Sequence, residues 1–167
     1  MKKLSMILAF VMIAGSFAVN AQEKKKSPAK TVEGKIGDTE ITINYHAPSV
    51  RDRQVFGELE KFGKIWRAGA NDATTIEFST NVKINGMNLK AGKYALFATP
   101  MEEGNWPIIL NSEHKQWGAY NLDKSKNVIE SEATVSKIEH TEMLTYSISD
   151  GMIHLSWANT RISFKVE

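Results

Sequence analysis

From Thr39 to His46 every second residue is apolar: Ile41, Ile43 and Tyr45 fall on one side of an extended chain, Thr42 and Asn44 on the other. That period of two predicts a half-buried strand. Gly37-Asp38 before it signals a turn after an earlier strand over about 31–36. Similar stretches at 74–80, 82–89, 93–99 and 106–111 read as strands, and Asn85-Gly86 places a hairpin turn inside the second of them. Near the C-terminus Leu144, Tyr146 and Ile148 alternate up to Asp150-Gly151. Ile153, Leu155 and Trp157 alternate after it, and Ile162, Phe164 and Val166 follow. This predicts a three-strand meander with corners at Asp150-Gly151 and Ala158-Asn159. The expected fold is all-β, an antiparallel β-sandwich of jelly-roll type with about nine or ten short strands.

One stretch breaks the alternation. Between Ser49 and Asn71, Val55, Phe56, Leu59 and Phe62 recur at helical spacing, but Gly57 and Gly63 interrupt them. The expectation is a long loop with short helical turns lying over one end of the sandwich. Long loops on compact domains are uncommon and often functional.

The N-terminus has another pattern. Lys2 and Lys3 precede an apolar run from Leu4 to Val19, and Ala21 ends a small-residue cleavage motif. Residues 1–21 are therefore expected to be a cleaved signal peptide, since the run is shorter than the roughly 20 residues that span a bilayer. The chain has no cysteine, so no lipid is expected at a new N-terminus, and the product is expected in the periplasm or outside the cell, without stable membrane insertion. Residues 22–31, rich in lysine, are expected to be a flexible tether, and 32–167 a single domain.

Charge then narrows the partners. The 21 basic residues outnumber the 19 acidic ones by two, and Lys2 and Lys3 supply that excess. The chain from Gln22 is neutral, which argues against nucleic acid as a partner. A domain of this size buries roughly two thirds of its unfolded surface and needs no metal or disulfide to hold a core.

The densest polar and aromatic set lies in and beside the long loop: His46, Arg51, Asp52, Arg53, Trp66, Arg67, Asn71 and Asp72. Guanidinium forks grip carboxylate or phosphate, and an indole offers a flat face to a sugar ring or a cation. Two readings stand. Either this set binds a small anionic or sugar-like ligand, or Arg51, Arg53 and Arg67 pair with Asp52, Glu58, Glu60 and Asp72 to pin the loop, with Trp66 capping the core. On the second reading, truncating Arg67 strands an acidic partner and destabilises the fold.

Trp117, Gly118, Tyr120 and Asn121, preceded by His114, form a second set that suits either a binding-site rim or a core filler. The candidate ligand residues are thus Arg51, Arg53, Trp66, Arg67, Asn71, Trp117 and Tyr120. No paired-histidine spacing, nucleophile elbow or phosphate-cradling glycine loop is present, so no metal or cofactor is called for. A non-enzymatic module binding a small ligand or an envelope partner is expected. A hydrolase acting on envelope material, with carboxylates such as Asp52, Asp72 or Glu58 as acid and base, is the rival reading, and a purely structural interaction domain a third.

The segment YHAPSVRDRQVFGELEKFGKIWRAGANDATT (45–75) resembles the signature of a family of uncharacterised secreted bacterial proteins, domain of unknown function 2911. The likeness continues through INGMNLKAGKYALFATP, QWGAYNLDKSKNV and LSWANTRISFKVE. Matching positions include Arg51, Arg53, Trp66, Arg67, Asn71, Trp117 and Trp157. His46 and Asp52 depart from the pattern, where arginine and glycine are common. The resemblance implies no reaction and no ligand.

Overall fold

The computed structural model describes residues 26–167. The expected signal peptide and the first residues of the expected tether lie outside that range. Nine strands follow one another: β1 Ala29–Ile36, β2 Thr39–His46, β3 Thr74–Phe78, β4 Val82–Ile84, β5 Met87–Leu89, β6 Gly92–Ala98, β7 Trp106–Asn111, β8 Asn127–Ser149 and β9 Met152–Lys165. The all-β, antiparallel expectation holds.

Seven strands form one sheet in the order β1-β2-β3-β6-β7-β8-β9, and β4-β5 is a separate hairpin. Every neighbour in the large sheet is the next strand in the chain apart from the β4-β5 excursion, so the layout is a meander. It curls nearly closed because the chain leaving β2 crosses to β8. Val50 N–H donates to Glu142 O at 2.8 Å and Leu144 N–H to Pro48 O at 2.9 Å. Tyr45 of β2 meets Tyr146 of β8 edge to face, with ring centroids 4.8 Å apart.

Inside the curl sit the alternating apolar residues the sequence marks: Ile41, Ile43, Ile76, Leu96, Leu110, Leu144, Ile153 and Trp157 are all buried. Asn85-Gly86 and Asp150-Gly151 make tight hairpins in which both central residues have positive φ, 47° and 83° in the first, 53° and 71° in the second. That is the backbone a two-residue turn between right-twisted strands needs.

Four differences from expectation have physical causes. β1 begins at Ala29, inside the stretch expected to be a tether, because residues 29–31 pair with 44–46 of β2. Asn127–Met143, with few apolar residues to betray it, continues as strand and makes β8 23 residues long. β9 consequently finds a partner on both sides of Ala158, so Ala158-Asn159 is no corner. Instead Ala158 takes φ 52° opposite Thr141, where the β8–β9 register shifts. The long loop holds turns and bridges and no helix; the one helical element among the described residues is a 3-10 turn at Lys124–Lys126. Gly57 and Gly63, both at positive φ, account for that, since neither backbone can continue a right-handed helix.

Candidate functional site

The long loop is stitched to the sheet at several points. Trp66 exchanges both backbone hydrogen bonds with Ala98 at the end of β6, at 2.7 and 2.9 Å. Its side chain drops into the core and stacks on Trp157, with ring centroids 5.8 Å apart and planes 21° apart, while Phe56 packs edge-on against both. Trp66 Nε1 donates to Gly69 O at 3.0 Å. Beyond Trp66 the chain makes a tight bend: Ala68 and Asn71 take φ 52° and 58°. Ala68 O accepts from Tyr146 Oη at 2.7 Å and from Thr74 Oγ1 at 2.9 Å.

This bend leaves a cavity of about 280 Å³ at the end of the sheet, lined by Lys26, Ser27, Pro48, Ser49, Arg51, Arg53, Leu59, Glu60, Arg67, Gly69, Ala70, Asn71 and Trp157. Three buried side-chain donors among these have no protein acceptor: Arg67 Nε, Asn71 Nδ2 and Trp157 Nε1. Burial pushes the Glu60 carboxyl up to about 7, against the pull of the Arg67 guanidinium. A neutral carboxylic acid can donate a hydrogen bond, so at and below neutrality Glu60 adds a further donor.

The arginines do not pair with acids as the loop-pinning reading expected. Among the described residues the ion pairs are made by lysines and His140, and no arginine nitrogen lies within 4.0 Å of a carboxylate oxygen. Backbone carbonyls take their place. Arg53 donates from Nε to Val50 O at 2.9 Å and from a terminal nitrogen to Ser49 O at 2.7 Å, and Arg51 reaches Lys26 O at 3.0 Å. Arg51 and Asp52 sit at φ 51° and 54°, a kink held by the Arg51 N–H on Glu142 Oε1 at 3.0 Å. That N–H, followed by His140, holds the Glu142 carboxyl below its usual range.

The remaining candidates separate. Trp66 is a core residue, 2% exposed, and is not a platform for a ligand. Trp117, 59% exposed, is no core filler; it stands over a second cavity of about 580 Å³ with Asn44, His46, Asp72, Thr75, His114 and Gln116 among its lining. Tyr120 is 84% exposed and lines neither cavity. The three carboxylates of the hydrolase reading are not brought together: Asp72 lines the second cavity, and Asp52 and Glu58 line neither. Among the described residues no group of three or more His, Asp or Glu side chains is placed to hold a metal ion.

Sequence reasoning named Glu60 only as an arginine partner, and Trp157 as an alternating strand residue and a position matching the family pattern, not as a ligand residue. The signal for Trp157 was its place at the end of the inward series Ile153, Leu155, Trp157, directly before the kink at Ala158.

Compared with known proteins, residues 27–166 match a family described as "Protein of unknown function (DUF2911)". No curated protein and no solved structure matches the chain.

Proposed function

The chain belongs to that DUF2911 family of unknown function, and on this footing we propose that it is a non-enzymatic module, acting in the periplasm or outside the cell, that binds a small anion in the cavity under Arg67. The observation that carries the reading is that Arg67, Asn71 and Trp157, which all line this one cavity, each keep a buried side-chain donor without a protein acceptor: Arg67 Nε, Asn71 Nδ2 and Trp157 Nε1. A buried donor left unsatisfied costs about 1 to 3 kcal/mol, and native folds rarely carry several together. All three are donors, so the matching ligand group is rich in acceptors: a carboxylate, phosphate or sulfate.

Charge supports the same assignment. Arg51, Arg53 and Lys26 line the cavity beside Arg67, and Glu60 is the one carboxylate among its lining residues. With its pKa near 7, Glu60 does not repel an incoming anion in mildly acidic surroundings. The cavity's volume falls just under the roughly 300 to 1,000 Å³ of pockets for drug-sized ligands, which suits a small acid.

Isothermal titration of the purified protein with acetate, succinate, citrate, phosphate and sulfate tests this. Saturable binding of at least one is expected, weakened at least tenfold by Arg67→Lys, which keeps the charge but removes the planar fork, and by Asn71→Ala. If none of the five binds, or Arg67→Lys binds like the wild type, the reading is wrong.

A further inference from the structure

We propose that the larger cavity beneath Trp117 is a second, separate binding site, and that it takes an uncharged oligosaccharide. It lies on the outer face of the sheet. Thr31, Asn44 and Thr75 occupy one register row across β1, β2 and β3, Thr31 opposite Asn44 and Asn44 opposite Thr75. Their neighbours Ile43 and Ile76 are buried, so the row points away from the core. Thr31 Oγ1 donates to Asn44 Oδ1 at 2.8 Å. Adjacent strands are about 4.8 Å apart, so the row presents hydroxyl, amide and hydroxyl groups at that spacing: the Thr31 oxygen accepts, the Asn44 amide nitrogen donates, and the Thr75 hydroxyl does either.

Above this floor stands an indole whose exposure nothing in the fold requires. Trp66, Trp106 and Trp157 are 2%, 3% and 0% exposed, whereas Trp117 is 59% exposed. Its position is set by backbone bonds on both sides: Trp117 pairs with Asp72, Ala73 N–H donates to Gln116 O at 3.0 Å and Gly118 N–H to Asn71 O at 3.2 Å. With the backbone on both sides fixed before a ligand arrives, only the side-chain torsions of Trp117 remain to be ordered on binding.

A flat apolar face opposite a row of mixed donors and acceptors fits a sugar ring, whose axial faces are C–H surfaces and whose rim is hydroxyls. The charges in the lining have both signs, Asp72 against Lys30 and Lys115, which favours an uncharged ligand over an anion or a cation. At about 580 Å³ the cavity has room for more than one ring. Neither Arg67 nor Trp157 lines it, so this site and the anion site are separable by mutation.

Titration calorimetry with maltotriose, cellotriose, xylotriose and tri-N-acetylchitotriose tests the proposal. At least one is expected to bind saturably, with affinity reduced at least tenfold in Trp117→Ala and in Asn44→Ala, partly retained in Trp117→Phe and unchanged in Arg67→Lys. Thermal melting of each variant checks that it is folded; Thr75→Val replaces any variant that is not, with the same tenfold loss expected. The proposal is overturned if none of the four binds, if Trp117→Ala binds as tightly as the wild type, or if free nucleosides bind the cavity while all four sugars fail.

Discussion

Trp66 and Trp157 stack face to face at 5.8 Å in the core, yet only Trp66 has an acceptor for its indole N–H. The two rings share one packing environment and differ in polar satisfaction, so they can be compared directly. Trimming either to Phe removes a similar volume. Trp66→Phe also orphans Gly69 O, whereas Trp157→Phe deletes a donor that had no protein partner. Trp66→Phe is expected to cost more by about 1 to 3 kcal/mol in urea unfolding. Equal losses, or a greater loss for Trp157→Phe, would contradict the assignment of Trp157 Nε1 as unsatisfied.

Arg67→Ala is expected to cost less than the roughly 3 to 5 kcal/mol that follows breaking a buried ion pair, because no carboxylate lies within pairing distance of its guanidinium. Thermal melting of the ligand-free protein measures this. A loss in the full ion-pair range would restore the loop-pinning role that the sequence suggested.

Glu60 makes stability depend on pH in a defined window. Burial raises its folded-state pKa to about 7 from the ordinary 4.5, so the folded chain holds this proton more tightly than the unfolded chain. Its contribution is fully present below the unfolded value and is lost as pH rises through about 7. The melting temperature is therefore expected to fall between pH 5 and pH 8, and Glu60→Gln to flatten that fall. Affinity for an anion in the same cavity should weaken over the same range, as Glu60 gains negative charge. A variant with the wild-type pH profile would show that another group is responsible.

Gly69→Ala tests the bend that places Asn71. A Cβ there would lie 2.7 Å from Thr74 Oγ1 and 3.2 Å from His46 O. Thr74 Oγ1 cannot swing aside without giving up its bond to Ala68 O. A loss of about 1 to 3 kcal/mol is expected, smaller when Gly69→Ala is made in a Thr74→Ala background. Identical losses in the two backgrounds would place the strain elsewhere.

How much of this was legible beforehand depends on the range of the interactions involved. Strand positions and the two Asx-Gly hairpins are local properties, carried by alternation and by backbone angles, and β2 and β7 occupy the residues the pattern marks. Residues 127–143 escaped because only Ile129 and Ala133 reach the core, and from Thr134 to Met143 the arm has no buried residue on either face, so no sustained alternation records it as strand. The missed strand in turn made Ala158-Asn159 look like a corner.

Of the residues composition singled out in the loop, Arg51, Arg53, Arg67 and Asn71 share a cavity. The sequence by itself determined most of the strand-forming segments, the irregular loop and the stock of donors in it. Only the tertiary structure decided that Trp66 turns into the core while Trp117 turns out, that Arg51 and Arg53 end on carbonyls while Arg67 Nε has no protein acceptor, and that Glu60 and Trp157 complete the cavity. Those outcomes depend on which distant segments meet when the sheet curls from β2 round to β8. A side chain's burial and hydrogen-bond partners are set by that meeting, and its identity alone does not record them.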